Sequence, residues 1–225
     1  MFKDLYDRMS LTYDADVIDC DDQNRFPFAG YQKTLNLIAE DINRRRDFSS
    51  ITVLDLGIGT GILASKLFPE RMTLFGIDSS KAMLEIASLK LPSGKFYLHD
   101  FRAGLPQELS NERFDYIVST YVMHRLTSEE FINYLDYLIE KLNPFGRIYI
   151  GDIMFLNARE RENCRLGNLE DWDETAFYHD FDNIVNKLKK KISMNYLKMS
   201  FCAGILILEN YHEHTLQNCE SLVKY

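Results

Sequence analysis

Three glycines at alternate positions form the most informative chemical feature of this sequence. Gly57, Gly59 and Gly61 follow a short apolar run that contains Asp55. Glycines at this spacing let the backbone turn tightly and keep side chains away from a bound ligand. A strand, a glycine-rich turn and a helix in this order can place a nucleotide cofactor across the carboxyl end of a sheet. We therefore expect a cofactor site at this turn.

Two carboxylates follow in order, each expected at the end of a further strand. Asp78 comes after residues 73–77, and a carboxylate there can accept hydrogen bonds from both vicinal ribose hydroxyls. Asp100 comes after the next predicted strand. A helix N-cap is the other interpretation of Asp78, since Ser79 and Ser80 follow it, and the two roles can coexist.

The exact spacing of the glycines separates two classes of nucleotide-binding protein. A dinucleotide fingerprint needs the pattern GxGxxG, whose third glycine packs the helix against the strand. Ile62 occupies that third position here, and the glycine comes one residue earlier, at Gly61. The spacing therefore argues against an NAD(P)-binding site.

The GxGxG pattern after Asp55 resembles motif I of class I S-adenosylmethionine (SAM)-dependent methyltransferases, in which the turn holds the methionine end and ribose of SAM. Residues 114–126 resemble the fourth strand and following loop of that family. Residues 142–146 resemble its LKPGG turn, with phenylalanine in place of one glycine. Residues 5–14 resemble the arm that folds over the cofactor in small-molecule members. The likeness covers roughly residues 51–155 and implies a Rossmann-like sheet.

The resemblance also implies roles for individual residues of the cofactor site. Asp78 would bind the ribose, Asp100 the adenine amino group, and Phe101 and Met83 would flank the adenine ring. Met83 is equally interpretable as a core residue of the second helix. The residues expected to contact SAM are Tyr13, Asp55, Gly57, Gly59, Gly61, Asp78, Ser79, Met83, Asp100, Phe101 and Thr120.

The methyl acceptor is expected between the N-terminal arm, the loop after the fourth strand and the segment around Trp172. Its expected contacts are Tyr31, Tyr121, His124 and Trp172. Methyl transfer depends mainly on aligning the nucleophile and excluding water, so a general base is optional. His124 is the candidate base because it follows the fourth strand, and a structural or capping role is the alternative. The aromatic residues of the arm either close over the cofactor or only pack the first helix onto the sheet.

No metal site is expected from the remaining histidines. His212 and His214 flank Glu213 but have no third partner at ligand spacing. His179 lies in a polar region expected to be helical, so we interpret it as a surface residue. His99 is expected to point away from Asp100 on its strand.

Strand-like and helix-like segments alternate from about residue 50 to 155, which predicts βαβ units and a parallel sheet. Strands are expected at residues 51–56, 73–77, 96–98, 114–120 and 147–153, with helices at 62–68, 80–91 and from a capping box at 127–130 to residue 142. Residues 192–199 and 205–208 are expected to form a hairpin. The predicted fold is α/β and Rossmann-like: a mostly parallel seven-stranded sheet, helices on both faces, an antiparallel last strand and an N-terminal helical arm.

The length of 225 residues fits one domain. We expect residues 1–48 to form the arm or lid and the first helix, and residues 49–155 to form the SAM-binding core. Residues 156–191 are expected to be a helical insertion on the substrate side. Residues 192–225 are expected to supply the C-terminal strands.

Composition limits the partners of the protein. It has 26 basic and 34 acidic residues, a net charge of −8, which disfavours nucleic-acid binding because phosphate affinity depends on lysine and arginine. No apolar run approaches a membrane span. The four cysteines have no metal-finger spacing. We expect a cytoplasmic protein, monomeric or homodimeric, that acts on a small molecule without nucleic-acid or membrane partners.

The predicted function is transfer of a methyl group from SAM to a small-molecule acceptor by in-line displacement. Three alternatives stay open from the sequence. The first is a SAM-binding regulator without catalysis, and the second is an NAD(P)-dependent oxidoreductase. The third is an aminopropyl transferase that uses decarboxylated SAM, for which no acidic amine pocket is evident.

Overall fold

The chain forms one twisted sheet that carries the predicted Rossmann-like topology. The computed structural model describes residues 12–44, 50–67, 70 and 72–210. Its strands are β1 (Ile51–Leu56), β2 (Met72–Asp78), β3 (Lys95–Leu98), β4 (Phe114–Thr120), β5 (Leu142–Phe155), β6 (His179–Asp180), β7 (Ser193–Lys198) and β8 (Ala203–Glu209). The sheet order is β3-β2-β1-β4-β5-β8-β7, and the two-residue β6 pairs with β5 off this path.

The directions of the strands confirm the predicted fold class. β1 to β5 pair in parallel. The last strand, β8, is antiparallel to both of its neighbours, β5 and β7. The order changes direction between β1 and β4, because β2 and β3 lie on one side of β1 and the later strands on the other. In open α/β sheets, ligands bind outside the carboxyl ends of the strands at this switch point.

Helices cover both faces of the sheet. They are α1 (Tyr13–Asp22), α2 (Tyr31–Arg44), α3 (Lys81–Lys90), α4 (Ser128–Ile139), α5 (Ala158–Gly167) and α6 (Phe181–Lys187). Adjacent residues of β1 point to opposite faces, so Val53 joins one core cluster with Leu35 of α2, and Leu54 joins the other with Phe131 of α4. The predicted capping box starts α4, with Thr127 and Glu130 bonded reciprocally.

Two of the predicted helices differ from the observed structure. The helix expected at residues 62–68 is only a 3-10 turn over Ala64–Lys66, after which Leu67 is extended. Pro69 has no backbone N–H to donate, so a helix that starts at residue 62 could not continue through that position. α4 ends at Ile139 rather than at residue 142, because β5 begins at Leu142, which pairs with Phe114 of β4.

The region after β5 is less helical than the sequence suggested. Between residues 156 and 191 only α5 and α6 form, and a loop that carries Trp172 lies between them and runs into β6. Asp180 caps α6 by accepting from the Asn183 N–H at 3.0 Å. No helix in the described part of the chain has the length and apolar character needed to cross a bilayer.

Candidate active site

Backbone hydrogen bonds and a carboxylate hold the glycine turn after β1. Gly57, Gly59 and Gly61 have φ angles of 72°, 55° and 80°, a region that side chains disfavour. The Gly57 N–H donates to the Ile77 carbonyl at 2.8 Å. The Gly59 N–H donates to Asp78 Oδ2, also at 2.8 Å. The turn is therefore fixed to the end of β2.

The three glycines face different surroundings. A Cβ atom at Gly57 would lie 2.4 Å from Val122 Cγ2, so the loop after β4 packs directly on the turn. A Cβ atom at Gly61 would lie 3.0 Å from Leu91 Cδ1, beside the end of α3. At Gly59 a Cβ atom would meet nothing within 4 Å, because this residue borders a cavity. Because Gly59 has no side chain, a ligand can approach the backbone at this position.

The cavity lies at the carboxyl ends of the first four strands and has a volume of about 910 Å³, its open mouth included. Its wall contains the predicted cofactor residues Tyr13, Gly57, Gly59, Asp78, Ser79, Met83, Asp100, Phe101 and Thr120, and the predicted acceptor residues Tyr31 and Tyr121. The wall also contains residues that were not predicted to belong to the site: Ile58, Thr60, Ile62, Leu63, Arg102, Val122 and Arg125.

Asp78 has a position distinct from the helix cap that follows it. Its Oδ1 accepts from the Ser80 N–H at 2.8 Å, while Oδ2 accepts from Gly59. The N-cap of α3 is Ser80, whose hydroxyl accepts from the Met83 N–H at 3.2 Å. The cap is therefore supplied by the serine, and Asp78 stays in the cavity wall.

Asp100 is paired with a neighbour on its own turn. Its carboxylate forms an ion pair with Arg102 at 2.5 Å and caps the 3-10 turn Phe101–Ala103. The hydrogen bond from Arg102 lowers the pKa of Asp100. A carboxylate keeps spare acceptor sites after such a pairing, so Asp100 can still accept from a ligand amino group.

Asp55 lies behind the wall of the cavity instead of in it. It is 1% exposed, and its Oδ1 has no hydrogen-bond partner in the part of the chain that the structure describes. Burial raises the pKa of Asp55 to about 8, and the nearby Asp78 carboxylate is a second, smaller cause of this rise. A carboxyl group with a strongly raised pKa beneath the glycine turn is typical of the surroundings of a functional site.

The N-terminal arm reaches the cavity through α1. Tyr13 lines the wall, and the next residue, Asp14, binds the glycine turn through the Thr60 hydroxyl at 2.6 Å. The other oxygen of Asp14 accepts from Lys90 Nζ at 2.9 Å. The arm is therefore attached both to the glycine turn and to the end of α3.

Aromatic side chains of the arm pack against the loop after β4. The Tyr31 and Tyr121 ring centroids lie 4.9 Å apart, and Phe28 contacts both rings. Tyr121 has a φ angle of 55°, an uncommon conformation for a residue with a side chain, and its hydroxyl is buried. Strained residues of this kind cluster at functional sites.

His124 does not border the cavity, although its neighbours in the same loop do. It is buried and forms a pair with Asp152, which lies near the end of β5: Nδ1 is 2.8 Å from Asp152 Oδ1. The His124 N–H donates to Asp152 Oδ2 at 3.1 Å. Burial alone would raise the pKa of Asp152, but the imidazole of His124 and the backbone N–H groups outweigh it and lower that pKa.

The interpretation of His179 as a surface residue is wrong. His179 is 2% exposed, stacks on Phe131 with ring centroids 4.2 Å apart, and its Nε2 is 3.2 Å from the Met123 carbonyl. Burial lowers its pKa. The residue enters the core because β6 pairs with β5, a contact that the polar composition of the segment does not reveal.

Trp172 also lies outside the wall of the cavity. Its ring stacks on Phe26 at 5.3 Å and meets Tyr178 edge-on at 4.4 Å. Trp172 therefore joins the arm to the segment before β6. The expected contact of Trp172 with the acceptor is therefore not supported by the lining of the cavity.

The described residues contain no group of three or more histidine, cysteine, aspartate or glutamate side chains that could hold a metal ion. His212, Glu213 and His214 lie outside the described residues, as does the arm before residue 12. His99 has a buried Nε2 without a hydrogen-bond partner among the described residues.

Known proteins resemble the chain in sequence. A family model described as a methyltransferase domain matches residues 53–146. An uncharacterized methyltransferase of Alkaliphilus oremlandii is 33% identical over 196 residues, which cover 83% of this chain and 86% of that protein. Another uncharacterized methyltransferase, from Anoxybacillus flavithermus, is 35% identical over 161 residues, covering 72% and 71%.

Solved structures share the fold at low identity. Magnesium protoporphyrin IX methyltransferase from Synechocystis PCC 6803 with bound SAH has a TM-score of 0.62 and 18% identity, covering 81% of this chain and 84% of that one. The DhpI–SAH complex has a TM-score of 0.63 and 15% identity, covering 93% and 95%. The solved structures show that the fold is that of these methyltransferases, and the sequence relatives show that the chain belongs to the methyltransferase family.

Proposed function

We propose that this chain transfers the methyl group of SAM to a small-molecule acceptor by in-line displacement. The observation that carries the proposal is the continuous cavity at the switch point of the sheet, which joins the glycine turn and its carboxylates to an aromatic wall. SAM, when bound, supplies an electrophilic methyl group on a sulfonium whose departure leaves S-adenosylhomocysteine (SAH).

The residues around the glycine turn are assigned to cofactor binding in this proposal. Asp78 would hold the ribose and Asp100 the adenine amino group, with Met83 and Phe101 on the faces of the ring. Asp55 would support the turn from beneath as a buried carboxyl group. Tyr13, Gly57, Gly59, Ser79 and Thr120 would complete the surface, and Gly61 would keep the turn close to α3.

The aromatic wall is assigned to the acceptor. Tyr31 and Tyr121 are buried and their rings pack against each other, so they can exclude water from the cavity. Trp172 would support this wall from behind through Phe26. A sulfonium beside such rings would also gain cation–π attraction.

His124 is assigned as the general base for acceptors that need one. Pairing of Nδ1 with Asp152 favours the tautomer that has its proton on Nδ1, which leaves Nε2 able to accept a proton. An ionised carboxylate in the core is costly unless it is paired, and such pairs are more common at functional sites. Since His124 lies behind the wall, it would reach the acceptor past Tyr121 and Arg125.

Two measurements test the proposed function. Titration calorimetry with SAM, SAH and NAD should give binding of SAM and SAH only, and binding of NAD alone would contradict the proposal. Incubation with SAM and a panel of small-molecule acceptors should then release SAH. Tight SAM binding without SAH release for any acceptor in the panel would favour the non-catalytic regulator. Release of methylthioadenosine from decarboxylated SAM would favour aminopropyl transfer.

We also propose that the whole chain acts as one domain in the cytoplasm, as a monomer or homodimer, without nucleic-acid partners. The arm and the C-terminal hairpin both pack on the same sheet, which supports a single unit. The described cysteines Cys20, Cys164 and Cys202 are unpaired, which supports a reducing compartment. Light scattering at several protein concentrations tests the oligomeric state.

A further inference from the structure

Three consecutive residues of the loop after β4 each bond to one short segment of the chain. We call residues 121–125 the wall loop, because it supplies three residues to the wall of the cavity, and residues 172–179 the bridging segment. The contacts are those of the Met123 carbonyl with His179 Nε2 at 3.2 Å, the His124 carbonyl with the Phe177 N–H at 2.7 Å, and Arg125 Nη1 with Asp173 Oδ2 at 3.0 Å. The bridging segment is therefore attached directly to the loop that forms part of the cavity wall.

The bridging segment also contacts the N-terminal arm. Phe26 of the arm stacks on Trp172 with ring centroids 5.3 Å apart and meets Tyr178 edge-on at 5.9 Å. Phe28, two positions further along the arm, packs against Tyr121 of the wall loop at 5.5 Å. The arm, the wall loop and the bridging segment thus contact one another in all three pairings. A shift of the bridging segment would move both of the elements that carry the aromatic wall.

The bond of His179 is the buried one among the polar contacts of the bridging segment. His179 is 2% exposed and stacks on Phe131 of α4, and its pairing with Met154 fixes it to β5. Burial lowers the pKa of His179, so at neutral pH its imidazole is uncharged and has a single N–H. Because a carbonyl oxygen can only accept, that hydrogen lies on Nε2 and is donated to Met123. The ion pair of Asp173 is screened by solvent, since that side chain is 39% exposed.

We propose that His179 is a positioning residue for the acceptor end of the cavity, through which the bridging segment holds the wall loop in place. The inference rests on the proposed function, which assigns that end of the cavity to the methyl acceptor. His179 does not line the cavity, so it acts through Met123 and not by contact with the acceptor. The glycine turn at the cofactor end has its own bonds to β2. Loss of the His179 bond should therefore loosen the acceptor end first.

Two variants of His179 separate its hydrogen bond from the packing of its ring. His179→Phe keeps a ring that can stack on Phe131 but removes the donor to Met123. His179→Gln keeps a side-chain N–H donor and is the matched control. Both are compared with wild type as the full chain, with and without saturating SAH.

Amide hydrogen exchange followed by NMR reports on the two ends of the cavity separately. The N–H groups of His124 and Phe177 report on the acceptor end, where each donates a hydrogen bond. In His179→Phe we expect both to exchange roughly two- to tenfold faster, the range for loss of one neutral hydrogen bond. His179→Gln should restore the wild-type rates. The N–H groups of Gly57 and Gly59 report on the cofactor end, and their rates should not change.

Two exchange results would overturn the positioning role. The first is wild-type rates at His124 and Phe177 in folded His179→Phe. The second is equal acceleration at all four reporting amides, because His179 would then only stabilise the fold as a whole.

A kinetic arm uses the acceptor that releases SAH fastest in the panel. In His179→Phe, kcat/KM for this acceptor should fall while the Kd for SAH changes little, and His179→Gln should recover kcat/KM. An unchanged kcat/KM in His179→Phe would overturn the positioning role. Failure of wild type to bind SAH would instead contradict the proposed function, and the exchange rates would still show whether His179 holds the wall loop.

Discussion

The Asp78 carboxylate contributes both to the geometry of the glycine turn and to the wall of the cofactor cavity. Its two oxygens accept from Gly59 and Ser80, so the carboxylate organises the turn as well as facing the cavity. The same group can accept from ribose hydroxyls, since each carboxylate oxygen has two acceptor sites. Ligand binding and turn geometry are therefore coupled at this residue.

Replacement of Asp78 should weaken the cofactor complex. We expect Asp78→Ala to reduce the affinity for SAH by about 1.5–3 kcal/mol, the range for hydrogen bonds to a charged group. Asp78→Asn keeps one oxygen acceptor and should lose less. Titration calorimetry measures both, and circular dichroism checks the fold. An unchanged dissociation constant for SAH in a folded Asp78→Ala variant would contradict the assignment of Asp78 to the ribose hydroxyls.

The Asp152–His124 pair leads to a kinetic prediction. If His124 is the base, His124→Gln should lower kcat by roughly 10²–10⁴ for an acceptor that must lose a proton, with SAH affinity unchanged. Asp152→Asn should lower kcat and alter its pH profile, because the amide no longer fixes the imidazole tautomer. Steady-state kinetics against pH provide the measurement. A lower melting temperature with normal kcat in both variants would show that the pair is structural.

At the scale of elements, the glycine turn allows a matched comparison. Gly57 and Gly59 share a positive φ angle, but only at Gly57 would a Cβ atom collide with Val122. A side chain in this left-handed region costs about 1–2 kcal/mol at either position. We expect Gly57→Ala to lower the melting temperature further, and Gly59→Ala to lower SAH affinity by filling the cavity. Equal effects on both properties would contradict the assigned geometry of the turn.

The arm is the second element with a testable role. Asp14 binds Thr60 of the glycine turn and Lys90 at the end of α3. If α1 is a lid, Asp14→Asn should speed SAH dissociation on the order of tenfold. Lys90→Gln removes only a half-exposed ion pair, worth about 0.2–1 kcal/mol, and should have a smaller effect. Stopped-flow displacement measures the rates. If wild type and both variants release SAH at the same rate, the arm only packs on the fold and is not a lid.

For the whole molecule, the buried carboxyl of Asp55 links stability to pH. Its pKa is raised from 3.8 to about 8 in the folded chain, so the folded state holds a proton that the unfolded state releases between these values. The protonated carboxyl group therefore contributes its full share to the free energy of unfolding below about pH 4. That contribution is lost as the pH rises to about 8.

We therefore expect Asp55→Asn to gain stability relative to wild type as pH rises. The difference in melting temperature between variant and wild type should grow from pH 5 to pH 8 and then level off. Each kcal/mol corresponds to roughly 2–4 °C for a chain of this size. Calorimetric scans across this range measure it. A difference that is constant with pH would show that Asp55 is ionised in the fold.

The sequence by itself determined the features that depend on neighbouring residues. Gly57, Gly59 and Gly61 indicated the turn, and Asp78 was expected at the end of β2, where it lies. The bounds of β4 and the capping box of α4 were also predicted as they occur. These signals are local, because periodicity, turn chemistry and caps act within a few positions of the chain.

Only the tertiary structure decided which distant side chains meet. Asp14 bonds to Thr60, 46 positions away, and His124 pairs with Asp152, 28 positions away. His179 enters the core and Trp172 packs on Phe26 for the same reason. Loops at the carboxyl ends of the strands take their positions from the elements packed around them. A contact between two such loops therefore depends on the folding of the whole sheet, and no pattern within either loop encodes it.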